Sequence, residues 1–424
     1  MDFAVKHQNV GSSTTPQNLL ALVTGAVFAL PTYTFFVTFN INVVAAAVAM
    51  FIVPLLLLLQ RARFNPEQLK TMFLVLGLLL GPLLVSILVH LADYDVATLI
   101  AIAPRLIAIT LFVLIAALLS MQPDARPLIE RCFAVLGLAM AALFVSAAVL
   151  FPEWSWGGRL VPRGMQPNWW GEVLFVAAFG SCFIRLRLLR YGLLALVAGG
   201  LVLVQSRSGM MGAAPLLVAS VLLREGLRRL LILGVVGLFV ALPLFLAVDG
   251  MLLDARLGRA IVGFFTSDVL LLDHAYRGLD SGATGRAEGW QAALGAIGEQ
   301  PFFGYGFGRT HDIVIDRVGK LLHSGHLMLL GDVGVPFYAL LMAAVLAAIV
   351  RATRRGELAF AAVLFGYILL ITVQPRVINS NVMSMVAWMA FALIWLLPPS
   401  VATASTTPPL QPLSRPIGAR WRRA

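Results

Sequence analysis

The sequence predicts an all-α, polytopic transmembrane helical bundle, and three observations predict it. Of the 424 residues, 60% are hydrophobic and only 12% are charged, with a mean hydropathy of +0.91. That apolar content exceeds what one soluble core can bury. The apolar residues are gathered into long uncharged runs, the length over which a helix crosses hydrocarbon with every backbone group satisfied. Finally, the Lys and Arg residues concentrate on alternate loops between those runs, the bias that orients a membrane protein.

About twelve spans follow in order. They are expected at 17 to 37, 39 to 60, 71 to 92, 97 to 119, 131 to 151, 171 to 184, 191 to 205, 209 to 223, 230 to 249, 323 to 350, 358 to 375 and 381 to 398. The sixth, seventh and eighth are short for a full crossing. Residues 1–16 are polar and lack a cleavable signal pattern, so the first span reads as a retained helix behind a cytoplasmic N-terminal segment. Spans one to nine occupy 17–249, a large outer segment occupies 250–322, and spans ten to twelve occupy 323–398. From Pro399 the chain is rich in Pro, Ser and Thr and reads as a disordered, basic cytoplasmic tail.

A net charge of +11 is compatible with nucleic-acid binding, but the placement of the charge argues against it. Arg61, Arg63, Lys70, Arg126, Arg131, Arg185, Arg187, Arg190, Arg224, Arg228, Arg229, Arg351, Arg354, Arg355, Arg415, Arg420, Arg422 and Arg423 make up 18 of the 31 basic residues and mark one side of the bilayer. The positive-inside rule makes that side cytoplasmic, and with twelve spans both termini lie there. Cys132 and Cys182 fall near cytoplasmic helix ends, where a disulfide does not persist, and read as packing residues.

The opposite loops hold Asp93 and Asp95, the stretch 152 to 170, a turn at Ser206 to Ser208, the long segment 250 to 322 and a turn near Arg376. Only the long segment has the length to fold as an extramembrane lid. Arg163, Arg207 and Arg376 sit in or beside short outer turns, where a cation opposes the preferred orientation. Each therefore asks for a compensating role such as anion binding, although a helix-end arginine can also snorkel to lipid phosphate.

The most informative stretch is His323-Ser-Gly-His326-Leu-Met-Leu-Leu-Gly-Asp332-Val-Gly334, where the outer segment meets a membrane helix. On a continuous helix, positions 323, 327, 330 and 334 share a face, which places His323 at the outer mouth above an apolar stripe. A histidine there can take a proton near neutral pH, whereas a lone histidine is more often a capping or interfacial residue. Upstream, Gly285-Arg286-Ala-Glu-Gly-Trp290 sets Arg286 and Trp290 four apart on a helix, and Gln300-Pro-Phe-Phe-Gly304-Tyr-Gly306-Phe-Gly308 permits tight turns. No strand precedes that glycine run and no Lys-Ser or Lys-Thr follows, so it is not a nucleotide-binding loop. Gln205-Ser-Arg207-Ser-Gly209 and Arg163-Gly-Met-Gln-Pro-Asn168-Trp-Trp-Gly171 complete the set. An arginine fork among hydroxyls suits a phosphate.

In this order the four pieces resemble the bacterial O-antigen ligase and O-antigen or exopolysaccharide polymerase superfamily, from about residue 160 to 340. The resemblance implies a bacterial inner-membrane enzyme with its active site facing the periplasm. Such an enzyme transfers glycan from undecaprenyl diphosphate to an acceptor hydroxyl, with no cofactor and no metal. It implies catalytic roles for Arg207, Arg286 and His323. Asp332 stands where the family often has a glutamate, but on a regular helix it lies opposite His323 and is not assigned to the reaction centre. Ser324 replaces the usual asparagine after the histidine, and His326 replaces an aromatic residue, so the base is one of two histidines. Arg163, Asn168, Arg376, Arg105, Ser324 and His326 are substrate-binding candidates. The expected partners are the lipid-linked donor, a glycan or lipid A core acceptor, membrane lipids, and the chain-length regulator and flippase of the same pathway.

Other readings compete. Asp93-Tyr-Asp95 has the spacing of a metal-binding carboxylate pair, but short acidic turns are common. Arg105 follows Pro104 within the fourth span and either contacts the lipid diphosphate or pairs with a carbonyl freed by the proline. His90, His274 and His311 lack ligand spacing. Tyr276, Arg277, Arg309, Arg317 and Lys320 read as contacts to sugar or lipid phosphate, or as a solvated face. Within the glycosyltransferase reading, a polymerase is favoured over a ligase to lipid A core. A lipid-linked glycan flippase needs charges along several spans and a repeat, and neither is evident. A scaffold leaves the outer arginines without a task.

Overall fold

The computed structural model describes residues 14–38, 66–122, 124–155, 159–247, 277–319, 321–374 and 382–398. The expected second span at 39 to 60, the tail from 399 and the first part of the outer segment, 250–276, lie outside the described residues. Thirteen helices run through the described residues. They are α1 (Thr14–Thr38), α2 (Pro66–Val89), α3 (Val96–Ser120), α4 (Ala125–Leu150), α5 (Pro167–Ser181), α6 (Arg187–Val204), α7 (Arg207–Ala247), α8 (Arg277–Glu299), α9 (Thr310–Val318), α10 (Gly325–Val333), α11 (Val335–Arg354), α12 (Leu358–Thr372) and α13 (Val382–Leu396). A short hairpin, β1 (Trp154–Ser155) with β2 (Arg159–Leu160), joins α4 to α5.

The chain is a multi-pass helical membrane protein. Helices α2, α3, α4, α6 and α11 are each long and apolar enough to cross a bilayer, and α7 makes a sixth if its bent halves form one span. Two shorter helices sit at the centre. Every residue of α5 from Trp169 to Ser181 is buried, as is nearly all of α13. A helix apolar on all sides belongs in the middle of a bundle. At 15 residues, α5 is about 22 Å long, against roughly 30 Å of hydrocarbon. Its ends are therefore recessed below those of the 26-residue α4.

Close backbone approach at small residues fixes the crossings, the usual device where lipid is as apolar as the side chains. A methyl on Gly137 of α4 would meet the Cα of Gly180 on α5 at 2.6 Å, and Gly366 of α12 lies against the carbonyl of Gly212 on α7. Phe133, Phe179, Phe183 and Phe360 pack edge-on and stacked where α4, α5 and α12 meet, with Phe133 and Phe179 4.8 Å apart.

Three expected spans take a different form. The run at 323 to 350 is not one helix: α10 and α11 are separated at Gly334, whose φ of 82° breaks the helix ahead of Pro336. The runs at 209 to 223 and 230 to 249 are joined in α7, as far as Ala247, across a kink of 108° beyond Leu223, where Gly226 leaves the helical conformation at φ 76°. Glu225 pins the bend, with Arg190 at 2.5 Å and Arg187 and Arg229 beside it.

The described part of the long segment is a small helical unit with its own core. Ala293 of α8, Val314 of α9 and Leu322 are buried together, with Trp290, Leu327 and Met328 packed on them. The glycine run between α8 and α9 docks this unit onto the α10–α11 break. Tyr305 and Gly306 donate backbone N–H bonds to the carbonyls of Gly331 (2.8 Å) and Asp332 (3.2 Å), and Val335 N donates to Pro301 O at 2.7 Å. Gly306 sits at φ 99° against the Tyr94 hydroxyl, leaving no room for a side chain.

Candidate active site

Arg207 opens α7. Ser206 caps that helix, its Oγ accepting from Gly209 N at 3.2 Å. The preceding residue, Gln205, closes α6 in the left-handed conformation at φ 51°, so the chain reverses within a few residues and turns Arg207 toward the recessed N-terminus of α5. A methyl on Gly171 would strike Ser206, so the turn seats directly on α5.

The recess is a cleft of roughly 270 Å³, lined by Arg159, Gln166, Asn168, Gln205, Arg207, Ser208 and His323, with Pro167 and Val373 completing the wall. Two guanidinium groups and one imidazole face it, and no carboxylate is among these lining residues. Its floor is a hydrogen-bonded net. Ser206 and Ser208 donate to Asn168 Oδ1 at 3.4 and 3.3 Å, and Gln374 Nε2 donates to Ser208 Oγ at 2.6 Å. An anion with several acceptor oxygens suits this lining, because fixed forks and short polar side chains supply donors with little reorganisation.

Arg207, His323 and Asn168, picked out from separate stretches of sequence, thus face one cavity. The geometry of His323 differs from the expectation of a continuous helix. The residue precedes α10, because Ser324, extended at φ −148° and ψ 114°, is the N-cap and accepts from Leu327 N at 3.4 Å. Ser324 therefore acts on the helix end and is not among the lining residues. His326 is held elsewhere. Its Nε2 lies 3.1 Å from the Ile368 carbonyl and its Nδ1 lies 2.9 Å from the Tyr338 hydroxyl. A carbonyl only accepts, so in the neutral ring Nε2–H donates to it and Nδ1 accepts from the tyrosine. Both ring nitrogens are committed.

The remaining candidates are dispersed. Arg163, at φ 57°, rests its guanidinium over Phe151 at 5.8 Å and is not among the lining residues. Arg105 lies under the glycine run, where a methyl on Gly308 would be 3.8 Å from its Nη1, and it acts electrostatically on Asp332. Asp332 is buried, and its Oδ1 accepts from Thr310 N at 3.0 Å. Arg286 is part of α8, whose side chains around that position lie outside the described residues, as does Arg376 entirely. Val373 and Gln374, shortly before Arg376, reach the cleft. The acidic pair has structural work: Asp95 Oδ1 caps α3 by accepting from Thr98 N at 2.7 Å, and Asp93 pairs with Arg309 at 3.4 Å.

Arg159 is the cleft residue that the sequence did not single out. It shares its outer loop with Arg163 and breaks the same charge rule, so the signal was present. What separates them is the hairpin: Arg159 lies on β2, paired with Ser155, while Arg163 lies in the following turn. The buried Trp170 anchors that turn by donating to Pro162 O at 3.2 Å.

No curated protein matches the chain significantly. Residues 192–342, which carry Arg207, the α8–α9 unit, His323 and α10, match the O-antigen ligase family, and the match supports the O-antigen ligase and polymerase superfamily for this chain.

Proposed function

We propose that the protein is a glycosyltransferase of the bacterial inner membrane that moves glycan from undecaprenyl diphosphate to an acceptor sugar hydroxyl on the periplasmic side, as an exopolysaccharide or O-antigen polymerase. The family match supports glycosyltransferase activity of the ligase and polymerase type in general. The observation that carries the site is the convergence of Arg159, Arg207 and His323 on a cleft that has no carboxylate among its described lining residues. The orientation is favoured by helix direction. Arg126, Arg185, Arg190, Arg351, Arg354 and Arg355 lie at helix ends opposite the cleft, so the positive-inside rule turns the cleft outward.

In this reading Arg159 and Arg207 hold the diphosphate, and Arg286 is assigned a further donor role on the family resemblance alone; its helix α8 packs on α10. The acceptor oxygen forms a bond to the anomeric carbon as the bond from that carbon to the diphosphate oxygen breaks. The acceptor proton passes to His323, and the guanidinium groups stabilise charge on the departing oxygen. A single displacement inverts the anomeric configuration. No step requires a metal. His323 is the base in this reading because it lines the cleft, whereas His326 is not among the lining residues and bonds the Ile368 carbonyl and the Tyr338 hydroxyl.

A second reading shares the cleft: a ligase passing finished glycan to lipid A core. Purified protein incubated with lipid-linked glycan and candidate acceptors separates the two. A ladder of products identifies the polymerase and one shifted acceptor band the ligase. Lipid-linked glycan that crosses the bilayer without new bonds overturns both in favour of a flippase. For the polymerase, the chain-length regulator and flippase of the pathway are the proposed partners.

A further inference from the structure

The exposed apolar face of α4 does not stop where the helix stops. Ala142, Val145 and Val149, spaced three and four apart, are exposed along one side of this span, and Leu150 continues it in the last turn. From Cys132, just past Arg131, to Leu150 the helix carries no charge and rises about 28 Å, close to the roughly 30 Å of hydrocarbon in a bilayer. Leu150 thus marks the hydrocarbon boundary at the cleft end. Beyond it the surface stays apolar: Phe151 is 44% exposed and Trp154, on β1, is 61% exposed. The hairpin is held at that height. Arg163 N donates to Phe151 O at 3.0 Å and Val161 N to Glu153 O at 2.8 Å, and Leu160, the ladder partner of Trp154, is buried in the main core. Arg159, next to Leu160 on β2, lines the cleft.

We propose that Trp154 and Phe151 seat the hairpin in the headgroup layer of the adjoining leaflet, so that the bilayer itself holds in place the hairpin that carries Arg159. Three features select a lipid interface as the partner. The patch is continuous with the exposed face of a helix long and apolar enough to cross the membrane. It begins where the hydrocarbon ends, the level at which membrane proteins carry their aromatic belts. Trp154 also joins a large apolar ring to a single N–H donor, which suits a layer bounded by acyl chains on one side and by ester and phosphate oxygens on the other. Trp154 is thereby a positioning residue, acting on Arg159 through the hairpin. That role rests on the reading of the cleft proposed above, whereas the seating in lipid does not.

The test uses the full-length protein in nanodiscs of phosphatidylcholine and phosphatidylglycerol. A nitroxide is attached at Trp154→Cys and, for comparison, at Asp316→Cys on the exposed side of α9, both native cysteines being buried. The label's accessibility to oxygen, which concentrates in lipid, relative to a water-soluble nickel chelate should be severalfold higher at Trp154→Cys than at Asp316→Cys. Equal ratios overturn the seating. Because labelling removes the indole, a second measurement keeps it: lipid brominated near the headgroup end of its acyl chains should quench a larger share of tryptophan fluorescence in wild type than in Trp154→Phe. An unchanged share overturns the seating as well. For transfer, Trp154→Glu should raise KM for the lipid-linked donor severalfold with kcat near the wild-type value, and Trp154→Tyr, which keeps an interfacial ring, should recover most of that loss. An unchanged KM in Trp154→Glu overturns the role toward Arg159. A wild type that makes no transfer sinks the glycosyltransferase reading and that role with it, while the label ratio still decides the seating.

Discussion

Gln374 donates from Nε2 to the Ser208 hydroxyl across 2.6 Å, tying the end of α12 to the first turn of α7 and so to the backbone that carries Arg207. Both residues are buried, and Ser208 passes the connection on to Asn168 at the start of α5. Three helix ends are thereby held in register around one cavity. Replacing Gln374 with Leu should cost about 1 kcal/mol of stability, the usual value of one buried hydrogen bond. Its effect on transfer should be larger, because the guanidinium loses its fixed position. Thermal unfolding together with single-turnover glycan transfer checks both, and a variant that loses stability while transferring at the wild-type rate would detach this net from the site.

The two histidines should separate cleanly. His323→Ala should slow transfer by about two to four orders of magnitude, the range for a positioned general base, with little change in melting temperature. His326→Ala should do the reverse. It strands the Ile368 carbonyl and the Tyr338 hydroxyl, costing about 1 to 3 kcal/mol, while transfer by the folded fraction persists. Transfer that survives His323→Ala and is abolished in folded His326→Ala would reverse the assignment.

For the arginines, substitution by lysine is the informative change, since it keeps charge and removes the planar fork. Arg207→Lys should lower kcat, and Arg159→Lys should mainly raise KM for the lipid-linked donor by about tenfold, in line with loss of a charge-assisted bond. Arg163→Lys should leave both constants near wild type, because its guanidinium lies over Phe151. Steady-state kinetics on one purified donor distinguishes the three.

Hydropathy made most helices legible and also hid their breaks. The apolar run after His323 reads as one span because averaging passes over Gly334 and Pro336, although both are breaker signals at the point where α10 gives way to α11. Ser324 ahead of Leu327 is likewise a readable cap, and it moves His323 off the helix face on which periodicity places it. The short sixth run was visible as an anomaly. Its consequence, a recess at each end of α5, depends on neighbouring helix lengths and so needed packing. Arg159 and Arg163 are equivalent by any rule of composition; only the hairpin register distinguishes them. Gln374 and Asn168 are linked through Ser208, by tertiary contacts that no local pattern encodes.

The glycine run makes a steric prediction. Gly306→Ala forces a side chain onto the Tyr94 hydroxyl at a φ of 99°, so it should destabilise the docked α8–α9 unit by about 2 kcal/mol or more. Tyr94→Phe removes the hydrogen bond to Phe307 O at 3.0 Å without the clash and should cost about 1 kcal/mol. Hydrogen exchange in α9 reads the undocking. Equal protection in wild type and Gly306→Ala would show that the loop tolerates a side chain there.

The same unit carries a pH dependence whose sign follows from one carboxylate. Glu299 accepts from Arg317 Nη1 and Nη2 at 2.9 and 2.5 Å and from the Tyr305 hydroxyl at 2.7 Å. The bonds to Arg317, then that to Tyr305, hold its pKa down from 4.5 to about 2. A depressed folded-state pKa means that the unfolded chain binds the proton first, so the stabilisation is complete above about 4.5 and is lost as pH falls toward about 2. The group is exposed, so the effect is modest and screened by salt. The melting-temperature difference between wild type and Glu299→Gln should therefore be greatest near neutral pH and shrink steadily through the acid range, more steeply at low ionic strength. A difference that stays constant from neutral to acid pH would mean that the clamp acts through packing of Arg317 and Tyr305, with the charge of Glu299 contributing nothing.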